Sequence, residues 1–111
     1  MQRLTMVRYA AKPEASAENE RLSRAVFDQL RADTPDDIAY ALFRNGDEFI
    51  HLFVNLAADD SDVLTEKSSF RAFQAGAEAR WVTPPDVARQ SVELIDCYGL
   101  GRPEQRRGPA A

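Results

Sequence analysis

An Asn45-Gly46 dipeptide separates two apolar-rich runs, Asp37 to Arg44 (DIAYALFR) and Asp47 to Leu56 (DEFIHLFVNL), and it constrains the fold more than any other feature of the chain. Asn-Gly tolerates positive φ at both central positions of a type I′ turn, so the runs read as antiparallel strands two and three of a tight hairpin. With a two-residue loop, Arg44 faces Asp47, Leu42 faces Phe49, Tyr40 faces His51 and Ile38 faces Phe53, and opposed residues share a side of the sheet. One face then carries Ile38, Tyr40, Leu42, Phe49, His51, Phe53 and Asn55. The other carries Ala39, Ala41, Phe43, Ile50, Leu52, Val54 and Leu56. A three-residue loop, Asn45-Gly46-Asp47, would exchange the faces of one strand. The alanine-bearing set reads as the helix side, because small residues let a helix approach. The aromatic set is also mostly apolar, and Ile38, Leu42, Phe49 and Phe53 would each forfeit about 1.5–3 kcal/mol if left in water. A second copy packed sheet to sheet covers that face, so the expected assembly is an isologous homodimer with room for a cavity.

The remaining blocks follow from their punctuation. Leu4 to Ala11 alternates as strand one and stops before Pro13. Glu14 to Ala32 reads as an amphipathic helix with Leu22, Val26 and Leu30 recurring every four residues and Ala25 widening the stripe. Thr65 to Trp81 reads as a second helix with Phe70, Phe73, Ala77 and Trp81 on one stripe, ending before Thr83-Pro84-Pro85. Ala88 to Gly99 reads as strand four, centred on Val92, Leu94 and Ile95. The order β-α-β-β-α-β is the α+β, ferredoxin-like arrangement, in which right-handed crossovers put two helices on one face of a four-stranded antiparallel sheet.

Composition bounds the partners. At 111 residues the chain is one domain, read as residues 1–99, and residues 100–111 read as a mobile tail with little to bury. A net charge of -4 speaks against nucleic acid, whose phosphates need a basic surface. No apolar run approaches the ~20 residues of a membrane span, and the N-terminus lacks an apolar secretion segment, so the expectation is a cytoplasmic protein with no membrane partner. Cys97 is the only cysteine and His51 the only histidine, too few for a disulfide or a Cys/His zinc site. Asp59, Asp60 and Asp62 read either as a solvated loop or as oxygens for a divalent ion, without the glycine and closing glutamate of a calcium loop.

A β-α-β-β-α-β chain of this length, with SFRAFQAG (Ser69 to Gly76) on its second helix and FIHLFVN on strand three, resembles the dimeric α/β-barrel superfamily. Within it the chain resembles the antibiotic biosynthesis monooxygenase-like domains over roughly Leu4 to Gly99. The resemblance implies a homodimer whose two sheets form a barrel, with a ligand pocket between each sheet and its helices or loops. It also implies a monooxygenase-like activity on a small aromatic or polyketide-like substrate, without a cofactor. The quinone-forming members use an Asn on the third strand, a Trp just after it and a later Arg. Asn55 matches the first and Arg80 the last, while Leu56 to Asp60 contains no Trp. The haem-degrading members use an Asn on strand one and a His on the second helix; strand one here has no Asn, and His51 falls on strand three.

Two readings stand for the site. In the first, His51 is a general base for a phenolic or enolic proton, with Tyr40 and Asn55 beside it as catalytic partners and Phe49, Phe53, Phe73, Arg80 and Trp81 binding the ligand. In the second, His51 is a partly buried residue bonded to Tyr40, the aromatic stripe is core, and the protein is a non-catalytic dimeric binding or interaction module. Arg8 and Asp96 are a candidate ion pair within the sheet, and Cys97 reads as a small buried apolar residue.

Overall fold

The computed structural model describes residues 2–56 and 64–99. The Asp59-Asp60-Ser61-Asp62 loop and the tail with Arg102, Arg106 and Arg107 lie outside the described residues. The strands are β1 (Gln2–Ala10), β2 (Ile38–Asn45), β3 (Glu48–Asn55) and β4 (Asp86–Val92). A 3-10 turn at Pro13–Ala15 leads into α1 (Ser16–Asp33), and α2 (Ser68–Gln74) and α3 (Ala77–Arg80) stand in the second crossover. The sheet order is β2-β3-β1-β4, with every pairing antiparallel, as the ferredoxin-like reading requires. No helix among the described residues is long and apolar enough to cross a membrane.

The hairpin closes one residue later on each strand than the Asn45-Gly46 turn expected. Asn45 pairs with Glu48, and Gly46 and Asp47 form the loop, with Gly46 at φ 62. Glycine at the first central position is the requirement of a type II′ turn, whereas Asn45 keeps extended strand geometry. Tyr40 therefore faces Phe53, and Leu42 faces His51. Moving both partners by one residue preserves the parity of the pairing, so each face keeps the membership read from the sequence.

The orientation of those faces is the reverse of the expectation. Tyr40 stacks on Phe27 of α1 at 4.6 Å between ring centroids, and His51 meets Phe73 of α2 at 5.6 Å. The aromatic set lies under the helices, because large rings span the space between sheet and helices that alanines leave empty. The aliphatic set forms the outer face. Its central row runs Ala41, Leu52, Met6, Ala88 across all four strands, and Met6 is 43% and Phe43 56% exposed.

Three other expectations change. The buried stripe of α1 is Ser16, Asn19, Ser23 and Val26 instead of one built on Leu22, Val26 and Leu30. Small polar side chains suit this stripe because they find partners inside: Ser23 Oγ donates to the Asn19 carbonyl at 2.8 Å. Strand four starts at Asp86 and ends at Val92, leaving Ile95 85% exposed and Cys97 half-buried in irregular chain. Arg8 pairs with Glu48 at 2.9 Å, its diagonal neighbour on β3, and not with Asp96 beyond β4.

The second helix is broken. Gly76, at φ 77, ends α2 and starts α3, and Trp81 leaves the helix to bridge Ala11 at the end of β1. Backbone bonds Lys12 N–H to Arg80 O at 2.8 Å and Val82 N–H to Ala10 O at 2.9 Å hold residues 80–82 against that strand. Gln29 of α1 accepts from the Ser69 N–H at 2.9 Å, capping the first turn of α2. A Cβ at Gly76 would meet only Arg80 Nη1 at 3.9 Å, so conformation and not space excludes side chains there. Gly76→Ala is expected to lower the unfolding free energy by about 1–2 kcal/mol and Gly76→Asn by less, since Asn tolerates the left-handed region. Urea midpoints of the three proteins check this ordering.

Candidate functional site

Strand alternation places Val7 and Tyr9 of β1, Tyr40 of β2, and Phe49, His51, Phe53 and Asn55 of β3 on the face under the helices. Tyr9, Ala11 and Phe49 form the buried core, with Leu42, Phe73 and Trp81 packed against it. Between this layer and α2–α3 lies a cavity of about 360 Å³. Its wall is aromatic at Tyr40, Phe53, Phe70, Phe73 and Trp81, and Thr5, Asn55, Arg3 and Arg89 supply polar groups. Among the described residues lining it there is no carboxylate. The volume falls at the small end of the ~300–1,000 Å³ range of small-molecule sites.

A continuous hydrogen-bonded chain runs beneath the cavity. Arg80 Nε donates to Asn19 Oδ1 at 3.0 Å, and Asn19 Nδ2 donates to the Tyr9 hydroxyl at 2.8 Å. Tyr9 Oη lies 2.9 Å from His51 Nε2, and Tyr40 Oη lies 2.6 Å from His51 Nδ1. Arg80 also donates to the Phe73 and Ala75 carbonyls, and its guanidinium stands over the Phe73 ring at 5.1 Å. Asn19 is fully buried, and His51, Tyr9 and Arg80 are nearly so. Among the described residues no buried side-chain nitrogen or oxygen is left without a partner.

Burial sets the protonation states. It lowers the His51 pKa to about 4, so the imidazole is neutral at physiological pH. It raises both phenols. For Tyr9 the Asn19 hydrogen bond and the Arg80 charge oppose the rise; for Tyr40 the nearby Tyr9 adds to it. Both hydroxyls therefore stay protonated. With each ring nitrogen engaged by a phenol, the imidazole passes hydrogen bonds through the protein from one hydroxyl to the other.

Of the residues singled out in the sequence, Tyr40, His51, Phe53, Asn55, Phe73 and Trp81 line the cavity. Phe49 is fully buried in the core behind Tyr9, stacked on it at 5.7 Å. Arg80 lies behind the wall, as the anchor of the chain. Tyr9 and Asn19 escaped the sequence reading. The available signal was Asn19 and Ser23, two poor helix formers one turn apart in line with Ser16 and Val26 on α1. Among the described residues no group of three His, Cys, Asp or Glu comes together as metal ligands.

No family model matches the chain, and no curated protein does. Solved structures share its architecture. A Mycobacterium tuberculosis protein, Rv0793, aligns with a TM-score of 0.69 at 16% identity, over 86% of this chain and 100% of its own. A Caulobacter crescentus protein named as a candidate antibiotic biosynthesis monooxygenase gives 0.68 at 18% identity, over 83% and 91%. A structure named as an antibiotic biosynthesis monooxygenase gives 0.64 at 20% identity, over 85% and 100%. This chain shares the fold of these structures. At these identities the likeness is one of fold, and it agrees with the arrangement that the strand and helix motifs resemble.

Within this fold the buried imidazole has a measurable consequence. An unfolded His titrates near 6.5 and the folded one near 4, so between these values the unfolded chain binds a proton that the native state refuses. The stabilisation is complete above the unfolded value and is lost as pH falls toward the folded one. Lowering the pH from about 7.5 to about 5 is expected to remove about 2 kcal/mol of unfolding free energy through His51. The His51 part is the loss in the wild type beyond that in His51→Gln, measured by urea denaturation. Parallel curves for the two proteins would refute a neutral, buried imidazole.

Proposed function

We propose that the protein is a homodimer whose subunits each bind a small aromatic or polyketide-like phenol or enol, and that it acts on it as a cofactor-independent monooxygenase. The observation that carries this reading is the cavity: an aromatic slot with the Tyr40 phenol and the buried Asn55 on its wall, two guanidinium groups and no carboxylate among its described lining residues. Flat rings stack in such a slot, and guanidinium groups favour the ionised form of an acidic phenol or enol. Hydrogen bonds from Tyr40 and Asn55 would stabilise the resulting anion.

The substrate itself serves as reductant. An ionised phenol passes electrons to dioxygen; one oxygen atom enters the ring as a new carbonyl and the other leaves as water, with the substrate oxidised to a quinone. Asn55 matches the strand-three Asn of the quinone-forming relatives, and structures named as antibiotic biosynthesis monooxygenases share the fold. The base of the sequence reading does not fit this arrangement, since His51 is neutral and both of its nitrogens are occupied. The substrates expected are those acidic enough to arrive ionised. The same occupancy of His51 favours the second reading, a binding module without chemistry.

The homodimer rests on the outer face, where Leu4, Met6, Phe43, Ile50, Leu52 and Val54 present an apolar surface that a second copy would remove from water. Native mass spectrometry is expected to record a dimer, and Leu52→Asp, at the centre of that face, a folded monomer. A wild-type monomer would sink the dimer.

Oxygen uptake with a panel of acidic polycyclic phenols tests the activity. Asn55→Ala and Tyr40→Phe are each expected to lower the rate at least tenfold, in line with loss of one donor to a developing oxyanion. Ligand binding without oxygen uptake for any of them would leave the binding module as the function.

A further inference from the structure

The hydrogen bonds beneath the cavity have a direction, and Arg80 sets it. A guanidinium has donors only, so the atom of Asn19 facing Arg80 Nε at 3.0 Å must be the amide oxygen. The amide nitrogen is thereby turned to Tyr9, where it donates to the phenol oxygen at 2.8 Å. The Tyr9 proton then has one acceptor in reach among the described residues, His51 Nε2 at 2.9 Å. A neutral imidazole that accepts at Nε2 carries its hydrogen on Nδ1. That N–H donates to Tyr40 Oη at 2.6 Å. The Tyr40 oxygen thus already accepts a hydrogen bond, the one its hydroxyl makes among the described residues, and its own proton is left for an acceptor in the cavity that Tyr40 and His51 both line.

We propose that Arg80, through Asn19, Tyr9 and His51, orients the Tyr40 hydroxyl as a hydrogen-bond donor into the cavity, and that the ligand group seated there is an acceptor oxygen, a carbonyl or an ionised phenol or enol. Arg80, Asn19, Tyr9 and His51 are positioning residues, and Tyr40 is the group that touches the ligand. The ligand half of the inference rests on the cavity being a ligand site, as in the proposed function. The direction of the chain does not.

Asn19→Asp tests it with little change of shape. The carboxylate introduced there keeps the bond to Arg80 but presents only acceptors, so Tyr9 would donate to that carboxylate and accept from His51 Nε2–H. Nδ1 would then accept from Tyr40, and the Tyr40 proton would be withdrawn from the cavity. His51 is the only histidine, so two-bond 1H–15N spectra at neutral pH report one imidazole. The wild type is expected to show the Nδ1–H tautomer and Asn19→Asp the Nε2–H tautomer. An Nε2–H tautomer in the wild type overturns the proposal, and that spectrum needs no variant to fold.

The ligand half is read with two probes of similar shape by fluorescence titration. Binding of 1,4-naphthoquinone, an acceptor only, is expected to weaken about tenfold in Asn19→Asp, the loss of one hydrogen bond. Binding of 2-naphthol, whose hydroxyl can donate to the bared Tyr40 oxygen, is expected to hold or strengthen. Equal effects on both probes overturn the acceptor-oxygen assignment. Failure of both to bind the wild type counts against the ligand reading itself, while the tautomer still decides the direction of the chain.

Discussion

A guanidinium taken out of water must find acceptors inside the protein, and much of this molecule is arranged around the ones Arg80 finds. Gly76 breaks the second crossover helix, and the break leaves carbonyls near the end of α2 without helical partners. Arg80 takes two of them, from Phe73 and Ala75, and reaches Asn19 on α1 with its remaining edge. The arrangement ties the second crossover to the first. It also holds residues 80–82 where they pair with the end of β1, which seats Trp81 against the core. An isolated buried charge would cost several kcal/mol; bonded on three sides and laid over the Phe73 ring, it organises its surroundings instead.

The cavity follows from the same geometry. A continuous second helix would carry its aromatic stripe down onto the sheet. Breaking it at Gly76 turns α3 and leaves a space walled by Phe70, Phe73 and Trp81 on one side and by the β-sheet aromatics on the other. The floor is polar in an otherwise apolar place because Tyr9, His51 and Tyr40 share one face of three strands. Their groups stay neutral because burial penalises charge, and they are tolerated because each is bonded to the next. A site built this way suits hydrogen bonding to a bound oxygen far better than proton abstraction by the histidine.

The strand order and the membership of both faces of the β2–β3 hairpin were legible from the residues alone, because alternation is a local property and survived even a displaced turn. Which face meets the helices was not legible. Both sets are apolar, and the choice depends on how far the helices stand from the sheet, which no window of sequence reports. The helix break at Gly76 leaves no periodic signature for a similar reason. Phe70, Phe73, Ala77 and Trp81 keep helical spacing across it, and periodicity does not sense one residue in the left-handed region.

The candidate site divides along the same line. Tyr40, His51 and Asn55 were marked by their chemistry and by the strands that carry them, so the order of residues alone dictated that a histidine, a phenol and an amide would share one face of a ferredoxin-like sheet. Packing settled the rest: that this face looks inward, that Tyr9 occupies the other nitrogen of His51, and that Asn19 joins them to Arg80. Asn19 and Arg80 lie 61 residues apart on separate helices. Local pattern records what each element presents, but which elements meet is settled by packing and by the demand that every buried donor and acceptor be satisfied, and that demand acts only once the chain has folded.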